Sequence, residues 1–146
     1  MTNFAPEFPQ YRTVRRWMED GQDLCRLLLA EESAAAMYLA LARQLGGRAG
    51  GRLEKMAREA QSHAACLEGI CVLVTGTAPE IRPAPPEGGD LQAQLRRCYG
   101  RAMRTLVTYE ARREDQEYGA VFSRLAAQQQ EHCRIILEIL GTLHQS

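Results

Sequence analysis

Six polar residues stand where a plain helical core would carry apolar ones, and they could do chemistry together. They are Glu31, Tyr38, His63, Tyr109, Gln129 and His132. A glutamate and two histidines form a ligand set for iron(II), manganese or zinc, leaving positions for water or substrate. The two tyrosines and Gln129 could orient such ligands through hydrogen bonds. The same residues could also form a metal-free hydrogen-bond network. An unsatisfied buried polar group costs about 1–3 kcal/mol, so each needs a partner either way.

Four amphipathic helices must position these side chains. The first runs from about 23 to 45 and stops at Gly46-Gly47, since glycine tolerates the left-handed conformation at a helix end. Its inward stripe is Leu24, Leu28, Glu31, Ala35, Tyr38, Ala42 and Leu45. The second runs from about 51 to 74, with Leu53, Met56, Ala60, His63, Leu67, Ile70 and Val74 inward. The third, from about 91 to 113, has Asp90 as its N-cap and turns Leu91, Leu95, Cys98, Ala102, Leu106 and Tyr109 inward. The fourth, from about 116 to 143, has Asp115 to cap it; its stripe is Tyr118, Phe122, Leu125, Gln129, His132, Ile136, Ile139 and Leu143. Alternating spacings of three and four suit helices packed near 20°. Before them, residues 1–22 read as an arm, with a short helix at 11–20 carrying Tyr11 and Trp17 and interrupted by Gly21.

Connection lengths select the topology. The first and last connections are short, so each joins an antiparallel hairpin. The middle one, 75–90, holds four prolines and three glycines in 16 residues and is not helical. Extended, it reaches roughly 50 Å, more than the roughly 33 Å length of a 22-residue helix. A long crossover between two hairpins follows, giving an all-α four-helix bundle over 23–146. The hairpins also read as copies of one unit: superposing them sets Tyr38 on Tyr109, Met56 on Leu125, Ala57 on Ala126 and His63 on His132.

Composition closes off other classes. The formal net charge is zero over 146 residues, so no global field favours nucleic acid or an anionic membrane. Arginine clusters such as Arg96-Arg97 and Arg112-Arg113 read as solvated faces beside acidic neighbours. Five cysteines without a CxxC (Cys25, Cys66, Cys71, Cys98 and Cys133) argue for buried apolar roles rather than a disulfide framework or zinc knuckle. The N-terminus lacks the apolar stretch of a signal peptide, and no run is long enough to span a membrane. The expected address is the cytoplasm.

The segments AEESAAAMYLALA (30–42), REAQSHAACLEGI (58–70) and DQEYGAVFSRLAAQQQEHCRIILEIL (115–140) resemble rubrerythrin-like proteins of the ferritin-like superfamily. The resemblance spans about 23–143. It implies a ferritin-like bundle and a dinuclear site, usually of iron, held by one glutamate from each of the first and third helices and a Glu-x-x-His from each of the second and fourth. Carried over, that pattern keeps Glu31, His63 and His132, but Ala60, Ala102 and Gln129 stand at the other glutamate positions. Both bridging carboxylates are lost, so ferroxidase, peroxidase and iron-storage activities are not expected. Glu59, Glu110 and Glu131 fall off the seam and are not counted as replacements. No catalytic residue is assigned; an enzyme on this scaffold would be a metal-dependent oxidoreductase. Three readings remain. One is a metal-free polar core in an assembly or partner-binding module, as a homodimer with the arm as a contact. The second is a single divalent iron, manganese or zinc ion on Glu31, His63 and His132. The third is a small molecule in the vacated cavity, where Cys66 and Cys98 make thiol chemistry conceivable.

Overall fold

The computed structural model describes the backbone of residues 4–145 and the side chains of residues 21–144. Four helices account for nearly all of it: α1 (Phe4–Leu45), α2 (Gly47–Thr75), α3 (Leu91–Ala111) and α4 (Gly119–Gln145). The α1–α2 and α3–α4 pairs are hairpins. The bundle closes by α1 packing on α3 and α2 on α4. Segment 76–90 crosses between the hairpins without regular structure. Among the described residues no helix is long and apolar enough to cross a membrane.

The inward stripes pack as their periodicity implies. Leu24, Leu28, Leu53, Leu67, Leu95, Phe122 and Ile136 are essentially inaccessible to solvent. The buried residues form two clusters along the bundle. One is centred on Leu41, Leu53, Met56, Leu95 and Ile136. The other is centred on Leu24, Leu28, Leu67, Tyr109 and Phe122. The polar residues lie where the clusters meet. All five cysteines are free thiols, three of them buried.

Two expectations about element limits are corrected. Gly21 does not interrupt the chain, because α1 runs unbroken from Phe4. A single glycine costs a helix only about 1 kcal/mol relative to alanine. Here its missing side chain serves packing, since a Cβ would lie 3.1 Å from Thr75 Cγ2 of α2. Tyr11 and Trp17 lie outside the described side chains. The fourth helix begins at Gly119 rather than 116. Asp115 does cap the turn before it, its Oδ1 accepting from the backbone N–H groups of Glu117 (2.9 Å) and Tyr118 (2.8 Å). Asp90 caps α3 as expected, accepting from Ala93 N–H at 2.8 Å.

The turn between α1 and α2 is a single residue. Gly46 and Gly47 take it in the left-handed region, at φ 60° and 58°. So tight a reversal forces the helices together, and Gly50 is where they meet: a Cβ there would lie 2.9 Å from the Ala42 carbonyl oxygen. Alanine normally raises helix stability over glycine. At this position Gly50→Ala is expected to do the opposite, lowering the unfolding free energy by about 1–3 kcal/mol through overpacking against backbone. Urea unfolding of the variant beside Gly51→Ala, whose Cβ meets nothing within 4 Å, is the check; equal stability of the two would refute a forced approach.

Candidate functional site

Glu31 is the centre of the polar core. It is 1% exposed and lies among apolar side chains, so its oxygens must find donors. Oε2 meets His63 Nδ1 from α2 at 2.8 Å and accepts from the Tyr109 hydroxyl of α3 at 2.5 Å. On the far side of the His63 ring, Nε2 contacts Gln128 Oε1 from α4. One side chain from each helix thus joins a single chain of hydrogen bonds.

The orientation of Gln128 fixes the protonation of His63. Gln128 Nε2 donates to Glu59 Oε2 at 3.2 Å, which leaves Oε1 to face the imidazole. Both His63 nitrogens therefore face acceptors, a carboxylate and an amide carbonyl, and both carry protons. Burial pulls the pKa of this histidine down. The hydrogen bond and charge of Glu31, then the bond to Gln128 and the charge of Glu59, outweigh it, and the net direction is up. The two acceptors and the upward shift both favour an imidazolium paired with Glu31.

His132 is its counterpart in the second hairpin and behaves differently. Its ring stacks on His63, centroids 5.8 Å apart and planes at 21°. Nε2 donates to Glu59 Oε1 at 3.0 Å, while Nδ1 is buried without a partner. Burial lowers its pKa most. The bond and charge of Glu59 oppose that, and the charge of His63 adds to it, so the net direction is down. His132 is neutral, with its proton on Nε2.

The internal repeat explains this difference. The register that places His63 on His132 places Glu59 on Gln128, and each of these two reaches across to the other hairpin's histidine. The same repeat places Glu31 on Ala102. Where the first hairpin offers a carboxylate to His63 Nδ1 and Tyr109, the second offers a methyl group. Tyr38, the partner of Tyr109 in the repeat, meets His132 edge-on at 5.8 Å and has no carboxylate to bond. Gln129 Nε2 donates to the Ala102 carbonyl at 3.1 Å, and Gln129 Oε1 is buried without a partner. Because a carbonyl only accepts, the amide nitrogen must face it, and Oε1 is the free atom.

Beside Ala102 and Gln129 lies a cavity of about 510 Å³ between α1 and α3. Tyr38, Met37, Ala34 and Thr105 line its walls, and Pro85 and Pro86 of the crossover cover it. Arg101 and Arg97 hold that cover in place. Arg101 pairs with Glu87 at 2.8 Å, and Arg97 bonds the Gly88 carbonyl. Cys98 also lines the cavity, but burial pushes its thiol up to about 12 against the pull of Arg101 and Arg97. It is protonated at neutral pH and is a poor nucleophile. Cys66 lies outside this cavity.

His63 lies against both Glu31 and His132, and Ala60, Ala102 and Gln129 are buried. One sequence expectation is corrected. Glu59 belongs to the site, accepting from His132 and Gln128, because its side chain reaches in from the edge of the seam. Glu110 and Glu131 stay outside, paired with Arg113 and Arg134. Gln128 went unnoticed, although the repeat that aligns the histidines also aligns it with Glu59.

The dinuclear centre implied by the resemblance does not fit these residues. Both bridging positions hold residues without a carboxylate, Ala60 and Gln129, and a third glutamate position is Ala102. Both nitrogens of His63 are spent on protein partners. Among the described residues no three His, Cys, Asp or Glu side chains converge as a ligand group.

The fold is the ferritin-like four-helix bundle, shared with solved structures of low sequence identity. A ferritin-like diiron-carboxylate protein from Bacillus anthracis is 22% identical, with 85% of this chain and 96% of that one covered and a TM-score of 0.71. The bacterioferritin of Rhodobacter capsulatus, whose structure has a metal-free dinuclear site and heme iron, is 14% identical (88% and 87% covered, TM-score 0.73). An open-pore ferritin from Archaeoglobus fulgidus is 18% identical (87% and 85% covered, TM-score 0.69). No protein-family model and no curated protein matches the sequence.

The unequal halves lead to two expectations. Tyr109→Phe strips Glu31 of a donor and is expected to cost about 1–3 kcal/mol, whereas Tyr38→Phe costs clearly less; equal losses in denaturant unfolding would contradict the asymmetry. The second concerns pH. The raised pKa of His63 gives stability that is complete below its unfolded value of about 6.5 and is lost as pH rises through the folded value. The depressed pKa of His132 gives stability present above about 6.5 and lost as pH falls. Stability from this pair therefore peaks near pH 6.5. His63→Gln should flatten the alkaline side, by about 1.4 kcal/mol for each unit of the shift. An unchanged alkaline slope in that variant would show that His63 is not the titrating group.

Proposed function

We propose that this is a metal-free protein of ferritin-like fold that binds a small organic molecule in the cavity between α1 and α3. The observation that carries this reading is Gln129: its Oε1 is buried, has no partner, and belongs to a residue lining a cavity of about 510 Å³. A buried acceptor left open costs about 1–3 kcal/mol, and a ligand N–H or O–H recovers it. The volume falls within the roughly 300–1,000 Å³ of small-molecule sites, and the walls have their composition, mostly apolar with a few polar groups. The substitution that opens this space, alanine at 102, is one of those that remove the dinuclear ligand set.

In this reading the Glu31–His63–Tyr109 network is structural. With Gln128 it ties the four helices together, and none of these residues lines the cavity. His63 and Glu31 balance each other's charge, so the core needs no metal ion to neutralise it. The ligand binds through Gln129 and the apolar walls. Cys98 contributes shape and not reactivity.

The test is native mass spectrometry of untagged protein purified without chelators, combined with elemental analysis after anaerobic incubation with iron(II), manganese and zinc. A small organic adduct at one per chain, absent from Ala102→Leu, and no stoichiometric metal is the expected outcome. Near one equivalent of a metal, lost in His63→Gln and unaffected by Ala102→Leu, would replace this reading with a mononuclear metal site on Glu31, His63 and His132.

A further inference from the structure

The cavity has two chemically distinct ends. Its inner end is Ala102 and Gln129. The middle is apolar, with Leu27, Ala30, Ala34 and Met37 from α1 facing the covering prolines. Its mouth carries three arginines, Arg26, Arg101 and Arg104, against two carboxylates, Asp23 and Glu87. These charges are not equally engaged. Arg101 is held by Glu87 at 2.8 Å. Arg26 leans on Asp23 at 3.6 Å, within its own helix, and is only loosely held, since Asp23 lies closer to Arg112 at 3.2 Å. Arg104 has no acidic partner among the described residues. Among the described residues the mouth therefore keeps Arg104 without an acidic partner, at the edge of an apolar cavity.

That arrangement selects a shape as well as a charge. A neutral apolar molecule would fill the middle and leave Arg104 to water. A small, fully polar anion would reach the arginine and leave the apolar walls unfilled. A molecule with an apolar body and an acidic group at one end satisfies both. The acidic group sits where solvent still reaches, so its desolvation is partial, and a planar guanidinium binds a carboxylate or sulfonate through paired N–H donors. The covering segment strengthens the selection: Glu87, which pins it to Arg101, takes up one of the cations and leaves Arg104 as the one that is open.

Resting on the ligand-binding reading above, we infer that the cavity takes an amphipathic organic anion, apolar body inward and acidic group on Arg104. The experiment compares two fluorescent probes, anionic 8-anilinonaphthalene-1-sulfonate and neutral N-phenyl-1-naphthylamine. They share an apolar body and an N–H donor and differ in the acidic group. Binding to the full chain is titrated by fluorescence, with circular dichroism and the melting temperature confirming that each variant is folded.

The anionic probe is expected to bind about tenfold tighter than the neutral one, a difference of about 1.4 kcal/mol. Arg104→Ala should erase that preference and leave the neutral probe unchanged. Ala102→Leu and Ala30→Leu, which fill the cavity from opposite helices, should abolish both; either one suffices if the other fails to fold. Equal affinity for the two probes in the wild type, with both lost on filling the cavity, overturns the anion assignment and leaves the ligand site standing. Affinities unchanged in the filled variants overturn both readings.

Discussion

A carboxylate that is 1% exposed sets the terms for the whole bundle. Taking Glu31 out of water is tolerable only if fixed donors replace the water. They come from α2 and α3, as the imidazolium of His63 and the hydroxyl of Tyr109. His63 in turn needs an acceptor on its other face, and α4 supplies it through Gln128. Apolar seams of leucine and alanine would let four helices slide or rotate with little change in buried area. A hydrogen-bond chain through all four removes that freedom, because any shift of a few ångströms leaves a charge unpaired. The Glu31–His63 pair thus contributes more to registry than to net stability, in line with the modest worth of most buried ion pairs.

The two hairpins share one plan and differ at one carboxylate. In the first, glutamate, tyrosine and histidine are all satisfied. In the second, Ala102 replaces the glutamate, and the consequences are local: His132 Nδ1 and Gln129 Oε1 lose their partners, and volume opens between α1 and α3. The same change decides the charge states. Two stacked histidines with centroids 5.8 Å apart would repel if both were charged. Only His63 has a fully buried carboxylate against it, which favours its charged form, while burial and the charge of His63 disfavour a second charge on His132. An approximate symmetry of sequence becomes an asymmetry of structure, with one half closed by hydrogen bonds and the other open beside Ala102.

Most of the fold is legible in the spacing of apolar residues, because a seam of threes and fours can be satisfied in few other ways. The four stripes, the crossover and the Asp90 cap all follow from local rules. Glu59 and Gln128 are harder to read for a physical reason. Periodicity assigns each residue a side of the helix from its Cα position, yet long side chains at the edge of a seam can swing inward by several ångströms. Glu59 is partly exposed by its place on α2 and still reaches His132. The signal that marks both residues is the repeat, which pairs them as it pairs the histidines, and not the hydrophobic pattern. The room beside Ala102 is legible only through the resemblance and the repeat, which set it at a glutamate position opposite Glu31, because in the apolar stripe alone it reads as ordinary core. Gly21 misleads because breaking a long, well-packed helix costs more than the single glycine does.

The residues at the glutamate positions also set the charge balance of the core. Four or more inward carboxylates on this scaffold would repel one another, and bound cations are one way to offset that charge. With Ala60, Ala102 and Gln129 in place, Glu31 is the one fully buried acidic group among the described residues, and His63, whose pKa is raised, pairs with it. Glu59 keeps partial contact with solvent and needs no further cation. The remaining mismatch is one of volume and not of charge, since an alanine leaves space that a charge-neutral core has no force to close. The crossover covers that space with prolines, whose lack of N–H groups suits a lid over an apolar wall. Where the resemblance implies ions and carboxylates, this chain pairs Glu31 with His63 in one half and leaves open volume beside Ala102 in the other.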